Sequence, residues 1–107
     1  MLIACHFYLM EILTKDTFEA FTQKPFAIVD FWAPWCGPCQ MLGPILAEVA
    51  AENTSFKVAK INVDEESALA ERFGVMNIPT LAVFKEGKIV NSSVGVISKE
   101  AIVDLVK

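Results

Sequence analysis

Phe31-Trp32-Ala33-Pro34-Trp35-Cys36-Gly37-Pro38-Cys39-Gln40 is the stretch that decides the reading of this chain, because two thiols three positions apart can close one small disulfide. Just before it, Phe26-Ala27-Ile28-Val29 is a short apolar run that reads as a buried strand. Just after it, apolar side chains at Met41, Leu42, Ile45, Leu46 and Val49 recur at helical spacing. The cysteine pair therefore falls where a strand ends and a helix begins. In the first turn of a helix, unpaired backbone N–H groups and the positive end of the macrodipole favour an anion. A thiolate is such an anion.

The 107 residues are enough for one domain with a single core, without disulfide staples or a structural metal. Hydrophobic residues make up 54% and charged residues 21%, proportions that describe a compact globular protein and exclude a disordered or fibrous one. With 13 acidic against 9 basic side chains the formal net charge is -4. No Lys/Arg run is present, so neither nucleic acid nor an anionic membrane is expected as a partner. Three cysteines are too few for a secreted disulfide scaffold, and a CxxC without an export signal reads as redox chemistry or metal binding in a reducing compartment, the cytoplasm. Met1-Leu2-Ile3-Ala4-Cys5 is apolar but lacks the basic start and the hydrophobic length of a signal peptide. Leu2-Ile3-Ala4-Cys5 is similar to a bacterial lipoprotein cleavage box. It is read as coincidence, because nothing upstream could engage an export machinery and almost no linker separates Cys5 from the fold.

Along the chain, Leu9 to Leu13 reads as a first strand, with an extension back through Phe7 and Tyr8 that an edge position would tolerate. Asp16-Thr17-Phe18-Glu19 fits a capping box, and Phe18 and Phe21 give a short helix its apolar face before Gln23-Lys24-Pro25 stops it. Phe26 to Phe31 is a second strand whose apolarity predicts burial on both faces, interrupted by Asp30. A helix follows from Gly37 to Glu52, with a bend expected at Pro44. Phe56 to Val63 is a third strand, Ser67 to Phe73 a helix ended by Gly74, and Leu81–Phe84 with Ile89–Val94 a hairpin about Glu86-Gly87. Ser98 caps a last helix bearing Ile102, Val103, Leu105 and Val106. The element order is βαβαβαββα.

Trp35-Cys36-Gly37-Pro38-Cys39, preceded by Val29-Asp30-Phe31-Trp32 and followed by Ile78-Pro79-Thr80, closely resembles the thioredoxin family. The resemblance runs from Leu13-Thr14 through Pro44 and Val58-Ala59-Lys60-Ile61 to Phe84, Gly87, Gly95 and the final helix. Only about the first eight residues fall outside it, and a single thioredoxin domain over residues 1–107 is expected. It implies an α/β fold with a five-stranded mixed sheet of order 1-3-2-4-5 flanked by four helices. The CxxC would lie at the carboxyl end of the second strand, as in open α/β sheets generally. It also implies a cis peptide bond before Pro79, facing the cysteines, with the backbone at Ile78 free to pair with an extended substrate peptide.

Within that frame Cys36, first in the motif and at the helix start, is the expected nucleophile, with the more exposed sulfur and a lowered pKa. Cys39, one turn deeper, is the expected resolving thiol. Asp30, a carboxyl among Val29, Phe31 and Trp32, is costly to bury unpartnered. Desolvation should raise its pKa and suit it as the base that deprotonates Cys39. The resemblance makes Lys60 a modulator of Asp30, with a solvated surface lysine as the plain alternative. Gly37 and Pro38 tune the redox pair. Trp35, Ile78, Pro79, Val94, Gly95 and Val96 form the expected apolar surface for a protein substrate, although strand-end packing explains Val94 and Val96 as simply. Three positions depart from the family pattern: Gln40 stands where a basic residue is usual, Met76 where a polar one is common, and Asn77 where glycine is frequent.

The implied activity is protein-disulfide reduction by thiol–disulfide exchange without a cofactor, by a monomer that draws electrons from a thioredoxin reductase. A disulfide oxidase or isomerase of the same fold, or a non-catalytic binding subunit, is the alternative; the Gly-Pro between the cysteines and the single-domain length favour the reductant. A zinc site built from Cys5, His6, Cys36 and Cys39 is disfavoured, because adjacent extended residues point to opposite faces. A cysteine protease would need a histidine beside Cys36, and the sole histidine, His6, lies in the unmatched segment. Cys5 is accordingly expected to be dispensable, so Cys5→Ala should leave dithiothreitol-driven insulin reduction intact, and a loss of turnover would reopen the metal and lipoprotein readings.

Overall fold

A computed structural model describes residues 10–107. Strands β1 (Met10–Ile12), β2 (Ala27–Trp32), β3 (Lys57–Asn62), β4 (Thr80–Lys85) and β5 (Lys88–Val94) alternate with helices α1 (Phe18–Thr22), α2 (Gly37–Glu52), α3 (Ser67–Arg72) and α4 (Lys99–Leu105). The strands form one sheet of order β1-β3-β2-β4-β5, parallel on the β1–β3–β2 side and antiparallel from β2 to β5. Both the element order and the sheet order are those expected from the sequence.

The period-2 alternation of β2 explains the layering. Ala27, Val29 and Phe31 point to one face, where Phe18 and Phe21 of α1 and Leu69 and Ala70 of α3 close a core. Phe18, Phe73 and Phe84 meet there with ring centroids 5.3 to 5.5 Å apart, in tilted and edge-on pairs. Ile28 points to the other face, against Leu42, Leu46 and Val49 of α2 and Ile102 of α4. With both neighbours in the sheet and both faces covered, β2 is buried along its length apart from a half-buried Trp32, which accounts for its nearly unbroken apolarity.

Several local expectations need correction. Asp16 does not cap α1: Thr17 is the N-cap residue and no side chain caps the helix. The Thr17 hydroxyl instead accepts from the Thr14 N–H at 2.9 Å, and the Thr14 hydroxyl accepts from the Asp16 N–H. A threonine turn thus takes the hydrogen bonds that a capping box would have used. The first strand ends at Ile12, one residue before the expected Leu13, and Leu9 with its expected extension through Phe7 and Tyr8 lies outside the described residues. Leu13 follows β1 as a buried anchor, its N–H donating to the Lys60 carbonyl at 2.9 Å. Helix α2 is continuous from Gly37 to Glu52 with Pro44 inside it, the span expected from the sequence. The Ser98 cap is present, its Oγ accepting from the Ala101 N–H at 3.1 Å.

The β4–β5 turn is pinned from outside the hairpin. Glu86 and Gly87 both have positive φ, 52° and 87°, as a tight two-residue turn with the twist of the flanking strands requires. Their N–H groups donate to the carbonyls of Lys24 and Thr22, tying the turn to the α1–β2 connection. A bulge then shifts the pairing, so that Val83 faces Asn91 while Phe84 faces Ile89. A Cβ at Gly87 would meet the Gln23 side-chain amide at 2.5 Å; that flexible end can swing away, so the backbone conformation decides the outcome. Gly87→Ala should lower stability by about 1–2 kcal/mol, measured as a reduced midpoint in urea with an unchanged slope.

Candidate active site

Strand β2 ends at Trp32, and the chain turns through Ala33-Pro34-Trp35 into α2, with the Cys36 N–H donating to the Ala33 carbonyl at 3.2 Å. Cys36 is the N-cap of α2: its backbone is extended, with φ -88° and ψ 113°, and its sulfur accepts from the Cys39 N–H at 3.2 Å. Pro38 removes one of the N–H groups that a helix start leaves unpaired. The N–H of Cys39 is thereby directed at the Cys36 sulfur, and the Gln40 N–H goes to the Cys36 carbonyl. Cys36 and Cys39 are joined by a disulfide with Cα atoms 5.2 Å apart.

In the disulfide form both cysteine residues are buried, Cys36 at 5% and Cys39 at 4% exposed. Ala33 and Ile78 pack against the pair, and Trp32 and Val63 lie alongside. What distinguishes them is position. Cys36 holds the cap and receives a backbone N–H, an arrangement that stabilises its thiolate once the disulfide opens, whereas Cys39 lies within the helix.

Opposite the pair runs the loop Met76–Pro79, with the Ile78–Pro79 peptide bond cis as expected. The Ile78 carbonyl is 3.8 Å from the Cys36 sulfur. The Gly95 N–H donates to the Pro79 carbonyl at 2.8 Å, and Gly95 has a φ of 94° with open space where a Cβ would stand. Ile78, Pro79, Val94, Gly95 and Val96 thus come together on one side of the disulfide; Val94 and Val96 are exposed, Ile78 is half-buried and Pro79 buried. Trp35 is exposed on another side, where its indole N–H donates to the Asp64 carboxylate at 2.9 Å. Asp64 is in turn held by the Asn62 side chain, which accepts its N–H at 2.9 Å. Sequence reasoning missed this support, because the bond spans 29 positions and an acidic residue after a strand carries no local signal of its partner. Gln40, at a position of departure from the family pattern, donates from its side chain to the Pro34 carbonyl at 2.8 Å and braces the loop.

Asp30 is 1% exposed, and neither of its carboxylate oxygens has a hydrogen-bonding partner among the described residues. The alternation of β2 places it on the face covered by α2, the helix that carries Cys39. Burial pushes its carboxyl up to about 7, against a smaller downward pull from Lys60, its register partner on β3. Lys60 lies with its Nζ 4.1 Å from the centroid of the Trp32 ring, so the aromatic face shares its charge. The Trp32 indole N–H is likewise buried without a partner among the described residues. No group of three or more potential metal ligands occurs among the described residues; Cys5 and His6 lie outside them.

A redox-active disulfide capping a helix at the carboxyl end of the central strand of an open α/β sheet, with a cis-proline loop against it, defines a thiol–disulfide exchange protein. The chain belongs to the thioredoxin family, whose family model matches residues 9–107. It is 48% identical over 94 residues to the thioredoxin of Bacillus subtilis, covering 87% of this chain and 90% of that one. It is 39% identical over 98 residues to the thioredoxin of Chlamydia caviae, covering 92% and 96%. Among solved structures, a mutant thioredoxin from Halobacterium salinarum superposes with a TM-score of 0.83 at 40% identity, covering 90% of this chain and 85% of that one.

The elevated Asp30 carboxyl makes a prediction about stability. Its pKa is about 7 folded against 3.8 as the reference for the unfolded chain, so the native state holds the proton more tightly and ionisation opposes folding. Stability should therefore fall as pH rises from about 4 to about 7. Asp30→Asn removes that ionisation, and should gain roughly 4 kcal/mol over the wild type at pH 8 and much less at pH 4. Paired urea titrations at the two pH values measure the difference.

Proposed function

We propose that this chain is a protein-disulfide reductant, and that its cycle uses Cys36 as nucleophile, Cys39 as resolving thiol and Asp30 as base. The observation that carries the reading is the Cys36–Cys39 disulfide at the start of α2, with the Cys39 N–H directed at the Cys36 sulfur. In the dithiol form the Cys36 thiolate attacks one sulfur of a substrate disulfide. A bond forms from Cys36 to that sulfur, the substrate S–S bond breaks, and the other substrate sulfur leaves as a thiolate that takes a proton. Asp30 then accepts the proton of the Cys39 thiol, directly or through water, and Cys39 attacks the Cys36 sulfur. The mixed disulfide breaks, the second substrate thiolate leaves, and the intramolecular disulfide closes. Two electrons have passed to the substrate, and none of the steps needs a cofactor.

Asp30 suits that task because its carboxyl titrates near neutrality, where a base can both take and return a proton. Lys60 limits how far burial raises it. Trp35, Ile78, Pro79, Val94, Gly95 and Val96 receive the substrate backbone, and the open space at Gly95 admits its close approach. Gly37 and Pro38 set the redox balance of the pair. A thioredoxin reductase in a reducing, cytoplasmic compartment returns the dithiol form, and the protein works as a single-domain monomer. No helix among the described residues is long and apolar enough to cross a membrane.

Insulin reduction with dithiothreitol as electron source tests the activity itself. Cys36→Ser should abolish turnover, and Cys39→Ser should accumulate mixed disulfides with substrate; equal trapping by both variants would sink the assignment of roles. For Asp30→Asn, stopped-flow kinetics should show an unchanged attack by Cys36 and a resolution step slowed by about 10- to 100-fold at pH 6, the loss shrinking toward pH 8. Resolution at the wild-type rate across that range would make Asp30 a purely structural residue.

A further inference from the structure

We propose a second substrate subsite: a groove on the far side of the Met76–Pro79 loop that takes one apolar side chain of the protein substrate, two to four residues from its reactive cysteine. The inference rests on the reading of the chain as a protein-disulfide reductant and adds a sequence preference to it.

The groove exists because the sheet is wider than the helices that cover it. Strand pairing sets Thr80 and Ala82 beside Val94 and Ser92, on the face that α1 and α3 cover near β2. Helix α3 ends at Arg72, and the chain turns away at Gly74, φ 66°. Ala82 and Ser92 have side chains too short to fill the space, which leaves a cavity of about 310 Å³. Its walls are Phe73, Met76, Ile89 and Val94. Met76 is 91%, Val94 61% and Ile89 47% exposed. Single exposed apolar residues are ordinary, but several arranged around one concavity mark an interaction site. A flexible thioether suits a wall that must fit differing side chains.

The lining also selects the chemistry of the occupant, since it contains no ionisable side chain. Two other cavities do: one is lined in part by Glu11, Lys24 and Lys57, the other by Glu52, Lys99 and Asp104. Continuity with the reacting sulfur identifies the occupant as substrate. Ile78 packs on Cys36, and Met76, two residues earlier, and Thr80, two residues later, line the groove. Val94 belongs to both surfaces, next to the Gly95 that is bonded to Pro79. Two residues of chain span at most about 7 Å. A peptide whose cysteine has reached Cys36 therefore brings a residue a few positions away over the groove.

The test uses disulfide-linked peptides carrying either Phe or Ser at positions two to four on each side of the reactive cysteine, with dithiothreitol as electron source. The readout is peptide turnover relative to hydroxyethyl disulfide, which is too small to span the sulfur and the groove together. At the favoured position the Phe peptide should show about tenfold lower KM than the Ser peptide at equal kcat, the gain expected for burying one large apolar side chain. Ser92→Phe, which fills the groove from an exposed strand position, should erase that difference, and Met76→Lys should reduce it. Equal KM values for Phe and Ser at every position, or a preference that survives in both variants, would overturn the subsite while leaving the reductant intact. Failure of the wild-type chain to reduce either the peptides or hydroxyethyl disulfide would instead overturn the reductant reading and the subsite with it.

Discussion

The rest of the molecule depends on the two-sided pairing of strand β2. Its backbone is hydrogen-bonded to β3 on one edge and to β4 on the other, so it cannot shift without breaking two ladders. Pairing with β3 sets Lys60 opposite Asp30, and pairing with β4 sets Leu81 opposite Asp30 and Thr80 opposite Phe31. The acid, the lysine and the strand that follows the cis-proline are thus brought to one end of the sheet by backbone geometry alone. A register slip of one residue would turn every side chain of β2 to the other face, and the apolar cores on both faces oppose it.

The buried carboxyl works against folding. An unpartnered charge among apolar side chains is expelled or neutralised in ordinary cores, and a carboxyl in such a place is a candidate for function for that reason. Lys60 does not form an ion pair with it among those observed. Its ammonium rests on the Trp32 ring instead, near enough to restrain the carboxyl and not so close as to fix it ionised. That intermediate balance keeps the group near neutrality.

Periodicity carried most of the fold. The apolar run before Cys36 and the helical spacing after it placed β2 and α2, with α2 bounded at Gly37 and Glu52 as expected. Glu86-Gly87 and Ser98 announced a turn and a cap through local chemistry that the structure uses. Asp16 misled because its pattern satisfied a capping box while Thr14 and Thr17 offered a competing set of hydrogen bonds. Within the site, residues near one another in sequence were legible. Asp64 was not, since its contact with Trp35 exists only after β3 has paired with β2. The burial of the cysteine pair was not legible either, because Ile78, which packs against it, arrives from the other half of the chain.

The bulge opposite Val83 and Phe84 bears on how this protein behaves when crowded. Among the described residues strand β5 is an open edge of the sheet, and its Ile89 and Val90 are exposed. Such an edge is a template for a neighbouring molecule's strand, and through it for ordered aggregation. Between Ile89 and Asn91 the hydrogen-bonding rhythm loses its phase, so an incoming regular strand can match the donors and acceptors on one side of the kink only. With Lys88 adding a charge at one end, the edge resists extension into a continuous intermolecular sheet even though its side chains are apolar enough to attract one.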